Sequence, residues 1–338
     1  MNVFTSTQLP SQWIAFRLGH LGDVVLCAGV LSHLAEKRGW SFAFVTRAEF
    51  ADVFKYNPHV RETVALDGQK LGAGAFARAG RELASEYKGW GLLDLHGSLR
   101  SRALATVWKG PVARYRKLSF ERRLFLWSEG RLFGELLRSH SVTQRYLASV
   151  ETEMPPAGLL LPKIWIADAE RESAVAKLDL LYGKGVRPVA LHPYATHRLK
   201  AWPEGHWKGL VAILEKQGIP WLVIGRGKSF FSGDVRDLSN ATNLRESCAI
   251  LAECRALVSG DSGPMHLAAA VGTPVVALFG PTTREWGFFP AGPADIVLEK
   301  QLPCRPCSLH GRTPCKRGGE CLASITPGEV AGAMACLL

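Results

Sequence analysis

A chain of 338 residues is long for one hydrophobic core and comfortable for two domains of ordinary size. Its hydrophobic fraction of 47% and charged fraction of 21% are those of a folded globular protein and exclude collagen-like, mucin-like or extensively disordered chains. The net charge of +11 is lopsided: residues 95–150 carry eleven Lys/Arg against three Asp/Glu. Such a field calls for an anionic partner, and nucleic acid, lipid headgroups and a phosphorylated or carboxylated sugar acceptor all fit it, with a solvated basic face as the plain alternative.

The sequence opens without a charged n-region followed by an apolar h-region. Apolar runs such as 24–31 and 275–279 fall far short of the roughly 20 residues that span a bilayer. A cytoplasmic chain is expected. Strands are predicted over 13–17, 41–46, 60–66 and 91–95, and helices over 23–37, 71–87 and 101–108. Helix-breaking residues at 154–158 mark the predicted domain boundary, giving domains 1–158 and 159–338. A helix over 167–181 follows, and the theme restarts with strands over 188–192, 220–224, 256–259 and 275–278 separated by helices over 206–217, 247–254 and 264–271. Repeated β-α-β order predicts an α/β fold of two Rossmann-like domains whose parallel sheets face a central cleft.

Chemistry is sought in the loops after the strands. After the first strand comes Arg17-Leu18-Gly19-His20-Leu21-Gly22-Asp23, which places a carboxylate at the start of a helix. Standing alone, Asp23 would be an acid stabilising that helix by about 1 kcal/mol. The third glycine of a dinucleotide fingerprint is missing, and Thr46-Arg47 stand where its acid would follow, so an NAD oxidoreductase is disfavoured. In the second half, the strand over 256–259 runs into Gly260-Asp261-Ser262-Gly263-Pro264-Met265-His266. Free first-turn amides there, with the Ser262 hydroxyl and His266, form a cradle suited to a diphosphate. In the loop after the strand over 188–192, Thr196 offers a hydroxyl and Lys200 a compact charge to a phosphate, before Trp202-Pro203 lead into the next helix.

Three segments carry a family resemblance. Leu18-Gly-His-Leu-Gly-Asp23, Lys200-Ala-Trp-Pro203 and Gly260-Asp-Ser-Gly-Pro-Met-His-Leu-Ala-Ala-Ala270, closed by Gly272 to Thr282, resemble glycosyltransferase family 9, which contains the ADP-heptose:lipopolysaccharide heptosyltransferases. The match runs through nearly the whole chain in order and is most specific over 260–282. The resemblance implies a GT-B fold and an inverting transfer that requires no cofactor, with an ADP-sugar held mostly by the C-terminal domain. Asp23 matches the catalytic aspartate. Lys200, the Gly263 to Met265 turn with Pro264, and His266 would stabilise the leaving diphosphate, and Asp261 would anchor ribose or the turn itself. The acceptor would be the Kdo/heptose inner core of a lipopolysaccharide precursor at the inner membrane surface. It would be met by His20 and by the positive strip Arg100, Arg102, Arg114, Arg116, Arg122 and Arg123. Pro193-Tyr194-Ala195 replaces a hydroxyl-rich loop of some members, and Gly225-Arg226-Gly227 stands where some relatives have an acid for the nucleoside.

Four of the eight cysteines fall in Cys304-x2-Cys307-x7-Cys315-x5-Cys321, a loop over 303–321. A structural zinc is one reading, a structural decoration the other, since the second pair lacks the usual C-x2-C spacing. Cys27, Cys248, Cys254 and Cys336 lie in helical patterns and are expected to be buried small hydrophobes. A family member with another nucleotide sugar or acceptor fits the sequence equally. A basic nucleic-acid-binding protein is favoured by charge but by no recognisable module, so no nucleic acid partner is expected, and the enzyme is taken as a monomer.

Overall fold

A computed structural model describes residues 9–67, 72–312 and 315–338. In chain order its elements are β1 (Gln12–Phe16), α1 (Leu21–Arg38), β2 (Ser41–Arg47), β3 (Val60–Leu66), α2 (Ala73–Glu86), β4 (Gly91–Asp94), α3 (Leu99–Val107), β5 (Val112–Arg114), α4 (Ser119–Trp127), α5 (Gly134–Arg138), α6 (Val142–Leu147) and α7 (Asp168–Tyr182). They continue with β6 (Val189–His192), α8 (Glu204–Lys216), β7 (Trp221–Val223), α9 (Leu244–Ala252), β8 (Ala256–Gly260), α10 (Gly263–Ala270), β9 (Val275–Phe279), β10 (Ile296–Glu299), α11 (Glu320–Ala323) and α12 (Pro327–Ala335). Leu71, where the second helix was expected to begin, lies outside the described residues, as do residues 1–8 at the start of the chain.

The chain forms two compact units. Unit 1 runs to Lys117 and resumes over Val142–Trp165, whereas unit 2 comprises Leu118–Ser141 and Ile166–Leu338. The expected single boundary after residue 158 does not match these units. Leu160 and Ile164 are buried, and the carbonyls of Leu160 and Leu161 rest against α1 at Gly29, so the segment through Trp165 stays with unit 1. A Cβ on Gly29 would stand 2.3 Å from the Leu160 oxygen and 2.7 Å from that of Leu161. Gly29→Ala would gain about 1 kcal/mol in helix propensity. Against that, the backbone displacement it forces costs roughly 1–3 kcal/mol or more. A net loss is expected, read as a lower urea midpoint with an unchanged m-value.

Unit 1 holds a five-stranded sheet in the order β3-β2-β1-β4-β5, every pair parallel. β1 lies at the centre, Trp13 pairing with Phe42 on one side and Gly91 on the other. β1, β2 and β4 are buried along nearly their whole length, which is why they read as unbroken apolar runs. Ile14, Phe16, Val45 and Leu92 pack with Phe76 and Leu83 of α2 and Leu104 of α3. Asp23 at the start of α1 reaches back to the His20 amide. The helix ends at Gly39, whose φ of 65° needs a residue without Cβ and whose amide donates to the Ala35 carbonyl at 2.9 Å. The strand order reverses between β1 and β4, and the crevice beyond their carboxyl ends is where such sheets take ligands.

Unit 2 repeats the design in the order β10-β9-β8-β6-β7, again with every pair parallel. Its reversal lies between β6 and β8, where His192 pairs with Ser259 at the carboxyl ends. Val189, Leu191, Val258 and Leu278 of the sheet pack with Trp207 and Leu210 of α8 and Val330 and Met334 of α12. A second, smaller cluster joins Phe125 of α4, Leu137 of α5 and Trp286. Arg122 Nη2 donates to the Trp286 carbonyl at 3.2 Å and Arg138 Nη2 to Glu285 Oε1 at 2.5 Å, fastening residues 118–141 to this unit. Cys27, Cys248 and Cys254 are buried as expected, but Cys336 is exposed, because it caps the solvent end of α12 instead of lying on its inner face.

Candidate active site

Asp23 sits in the first turn of α1, beyond the carboxyl end of β1, and is 9% exposed. Its Oδ2 accepts from Arg17 Nη2 at 2.6 Å and from the His20 amide at 3.4 Å; its Oδ1 accepts from the Tyr146 hydroxyl of α6 at 2.9 Å. Arg17, the last position before the glycine turn, is equally buried. Its Nε donates to the Gly19 carbonyl at 2.9 Å, its Nη1 to the Leu95 carbonyl at 2.6 Å, and its guanidinium lies 5.6 Å from the centre of the Tyr146 ring. One side chain thereby ties the end of β1, the turn after it and the end of β4 to the carboxylate.

Burial by itself would raise the Asp23 carboxyl. The Arg17 charge and the hydrogen bonds from Tyr146 and Arg17 outweigh it and hold the group below its ordinary value. Asp23 is therefore an anion throughout the neutral range. Burial pushes Tyr146 well above the usual phenol value, so it keeps the proton it donates. His96, just after β4, is lowered to about 4 by burial and by the Arg17 and Lys117 charges, and is neutral. Its buried Nδ1 has no partner among the described residues.

In unit 2 the loop after β6 and the turn after β8 meet. Lys200 Nζ pairs with Asp261 Oδ2 at 2.5 Å, and Thr282 Oγ1 donates to the same oxygen at 2.7 Å. Gly260 makes the approach possible, since a Cβ there would stand 3.1 Å from the Lys200 carbonyl. Ser262, the N-cap of α10, uses no side-chain cap; its Oγ lies 3.1 Å from Ser259 Oγ and 3.3 Å from His192 Nδ1. His192 is lowered to about 4 by burial and is neutral. Gly263 and Met265 carry the first-turn amides of α10, which have no intrahelical acceptor, and Pro264 between them has no amide to satisfy. The Met265 and His266 side chains are buried, whereas Thr196 is exposed on the loop. The Gly225 and Gly227 turn packs against the same loop: added Cβ atoms would lie 2.6 Å from His192 Cδ2 and 2.3 Å from Tyr194 Cδ1.

The positive strip is divided between the units. Arg100, Arg102, Arg114 and Arg116 belong to unit 1, and Arg122 and Arg123 to unit 2. Arg114 is committed to Asp94 at 3.0 Å and Arg122 to Trp286, while Arg100, Arg102 and Arg123 are exposed. His20 is exposed at the N-cap of α1.

All four cysteines of the loop are free thiols. Cys307 is pushed up to about 11 by burial and by Cys304, Cys321 and Cys315 nearby. Among the described residues no three His, Cys, Asp or Glu side chains gather as a metal-binding group; Pro314, within this loop, lies outside the described residues. The loop also abuts the lysine: a Cβ on Gly311 would stand 2.9 Å from Lys200 Cγ, and Arg312 Nε lies 3.3 Å from His197 Nε2. Sequence reasoning missed Arg17, Tyr146, His192, Ser259 and Thr282. Arg17 and Thr282 flank recognised motifs and could have been found by position. Tyr146, 123 residues from its partner, left no such signal.

Two Rossmann-like units, each with polar groups gathered at the strand-order reversal, are those of the GT-B fold. The family model for glycosyltransferase family 9 (heptosyltransferase) matches residues 78–313. The chain belongs to glycosyltransferase family 9. It is 28% identical over 300 residues to lipooligosaccharide heptosyltransferase 2 of Haemophilus influenzae, covering 80% of this chain and 82% of that protein. The fold matches the family 9 glycosyl transferase of Veillonella parvula with a TM-score of 0.77 at 18% identity, over 98% of this chain and 99% of that one. It matches E. coli ADP-heptose lps heptosyltransferase II with a TM-score of 0.71 at 20% identity, over 96% and 98%. No helix among the described residues is long and apolar enough to cross a membrane.

Proposed function

We propose that this enzyme transfers heptose from ADP-heptose to the Kdo/heptose inner core of lipopolysaccharide, with inversion at the anomeric carbon. The observation that carries this is a carboxylate, Asp23, kept ionised at the ligand crevice of unit 1. The acceptor hydroxyl oxygen attacks the anomeric carbon, Asp23 takes its proton, and ADP leaves from the opposite face with the bonding pair. In unit 2, Lys200, the amides of Gly263 and Met265, and His266 take up the charge that grows on the diphosphate, Asp261 sets Lys200, and Thr196 and Ser262 supply hydroxyls at the rim. Arg100, Arg102, Arg116 and Arg123, with His20, meet the phosphate and carboxylate groups of the acceptor, joined by Arg114 and Arg122 from their fixed positions. The donor and acceptor classes are those in the name of the E. coli structure, and the H. influenzae relative is named for the same type of transfer. The enzyme works without a cofactor, in the cytoplasm at the inner face of the membrane that carries its acceptor.

The test is turnover of ADP-heptose with Kdo-lipid A and with heptosyl-Kdo-lipid A, followed as ADP release. Release that depends on one of the two acceptors is expected. An enzyme that binds ADP but turns over another nucleotide sugar would overturn the donor assignment and keep the family.

A further inference from the structure

We propose that Arg17 and Tyr146 are positioning residues that grip both oxygens of the Asp23 carboxylate and, among the described residues, leave one lone pair of Oδ1 as its single open proton-accepting site. The inference rests on Asp23 being the base. Each carboxylate oxygen offers two lone-pair sites. On Oδ2 both are taken, by Arg17 at 2.6 Å and the His20 amide at 3.4 Å; on Oδ1 Tyr146 takes one at 2.9 Å. When the acceptor oxygen bonds to the anomeric carbon and the carbon–phosphate oxygen bond breaks, the acceptor proton moves to Oδ1, and the electron pair leaves with ADP. Arg17 is itself immobilised by the Gly19 and Leu95 carbonyls and by the Tyr146 face, so the carboxylate cannot turn away without breaking a buried network.

The same partners keep the base ready. A carboxyl this deeply buried would, without them, hold its proton into the neutral range, where it could not act. The titratable and charged groups around it are Arg17 at the end of β1, His20 before α1, Cys27 within α1, Tyr146 on α6 with Tyr115 edge-on at 4.8 Å, and His96 after β4. Cys27 is held as a neutral thiol by burial and His96 as a neutral imidazole, so Arg17 supplies the largest compensating charge, ahead of His20.

The experiment is the pH dependence of kcat/KM for Arg17→Gln and Tyr146→Phe, read from about pH 5 to pH 8 with ADP-heptose and the acceptor that supports turnover. Wild type should show no limb from Asp23 in this window. In Arg17→Gln the rate should fall as pH drops through it and recover at least about tenfold between the two ends, the reverse of a uniform loss. Tyr146→Phe, nearly isosteric, should raise the limb by about one pH unit relative to wild type, a shift read by extending both profiles below about pH 5. KM for the donor should be unchanged in both. A loss of rate equal at all pH values would make the pair merely structural and overturn the proposal, as would wild-type behaviour in both variants. Should Arg17→Gln fail to fold by circular dichroism, Tyr146→Phe decides. An active Asp23→Asn would instead refute the base itself, whatever Tyr146→Phe shows, whereas an inactive Asp23→Asn with unmoved limbs refutes only the clamp.

Discussion

Asp23→Asn is expected to lower kcat by at least about a hundredfold while leaving ADP affinity unchanged. Asn keeps the shape and one acceptor. With its oxygen toward Arg17 and its amide toward the Tyr146 hydroxyl it can preserve the local geometry, but it cannot take a proton. It also leaves the Arg17 guanidinium, 5% exposed, without its counter-charge. Breaking a buried pair in this way costs roughly 3–5 kcal/mol, so a drop in stability should accompany the loss of rate. ADP affinity separates the two effects, because the groups assigned to the nucleotide all belong to unit 2. Calorimetric titration with ADP beside single-turnover assays is the measurement; equal kcat in both proteins removes Asp23 from the chemistry. The sign of the pH effect follows. The folded value of this acid is depressed, so its contribution to stability is complete above the ordinary carboxyl range and is lost only as pH falls through the lower folded value. Neutral-range activity therefore proceeds with the pair intact.

Lys200→Ala should weaken ADP binding by about ten- to a hundredfold, more than one lost phosphate contact in water would explain. Without ligand, Lys200 is engaged by Asp261, and both side chains are largely shielded, 17% and 13% exposed. Deleting the lysine removes an attraction for the diphosphate and bares a carboxylate that then repels it. Asp261→Asn in the Lys200→Ala background should recover part of the affinity, and titration calorimetry on the four proteins of the cycle reads the coupling directly. Additive losses would mean that Asp261 does not act through Lys200.

The central strands were legible because a buried parallel sheet leaves continuous apolar runs, as in Trp13-Ile14-Ala15-Phe16 and Val275-Val276-Ala277-Leu278. β5, three residues long, and β10, four residues half-buried along their length, were not, for so short and incompletely buried a run imprints little pattern. α4 and α5 escaped for a different reason. Phe120, Trp127, Leu132 and Leu136 are exposed there, while the inward contacts rest on Phe125 and Leu137, so the apolar residues do not trace one face. The glycine turns and Lys200 could be found because chemistry confines them to loops after strands. The partner that fixes Asp23 could not: Tyr146 approaches it from a helix that follows an excursion into the other unit.

That excursion governs how relatives can be recombined. A hybrid enzyme joined at residue 165/166 alone would inherit Trp286 and Glu285 from one parent and Phe125, Leu137 and Arg138 from the other, splitting an apolar cluster and its ion pair between two unmatched sequences. Grafts intended to exchange nucleotide-sugar preference should therefore transplant residues 118–141 together with the C-terminal portion, as a discontinuous cassette.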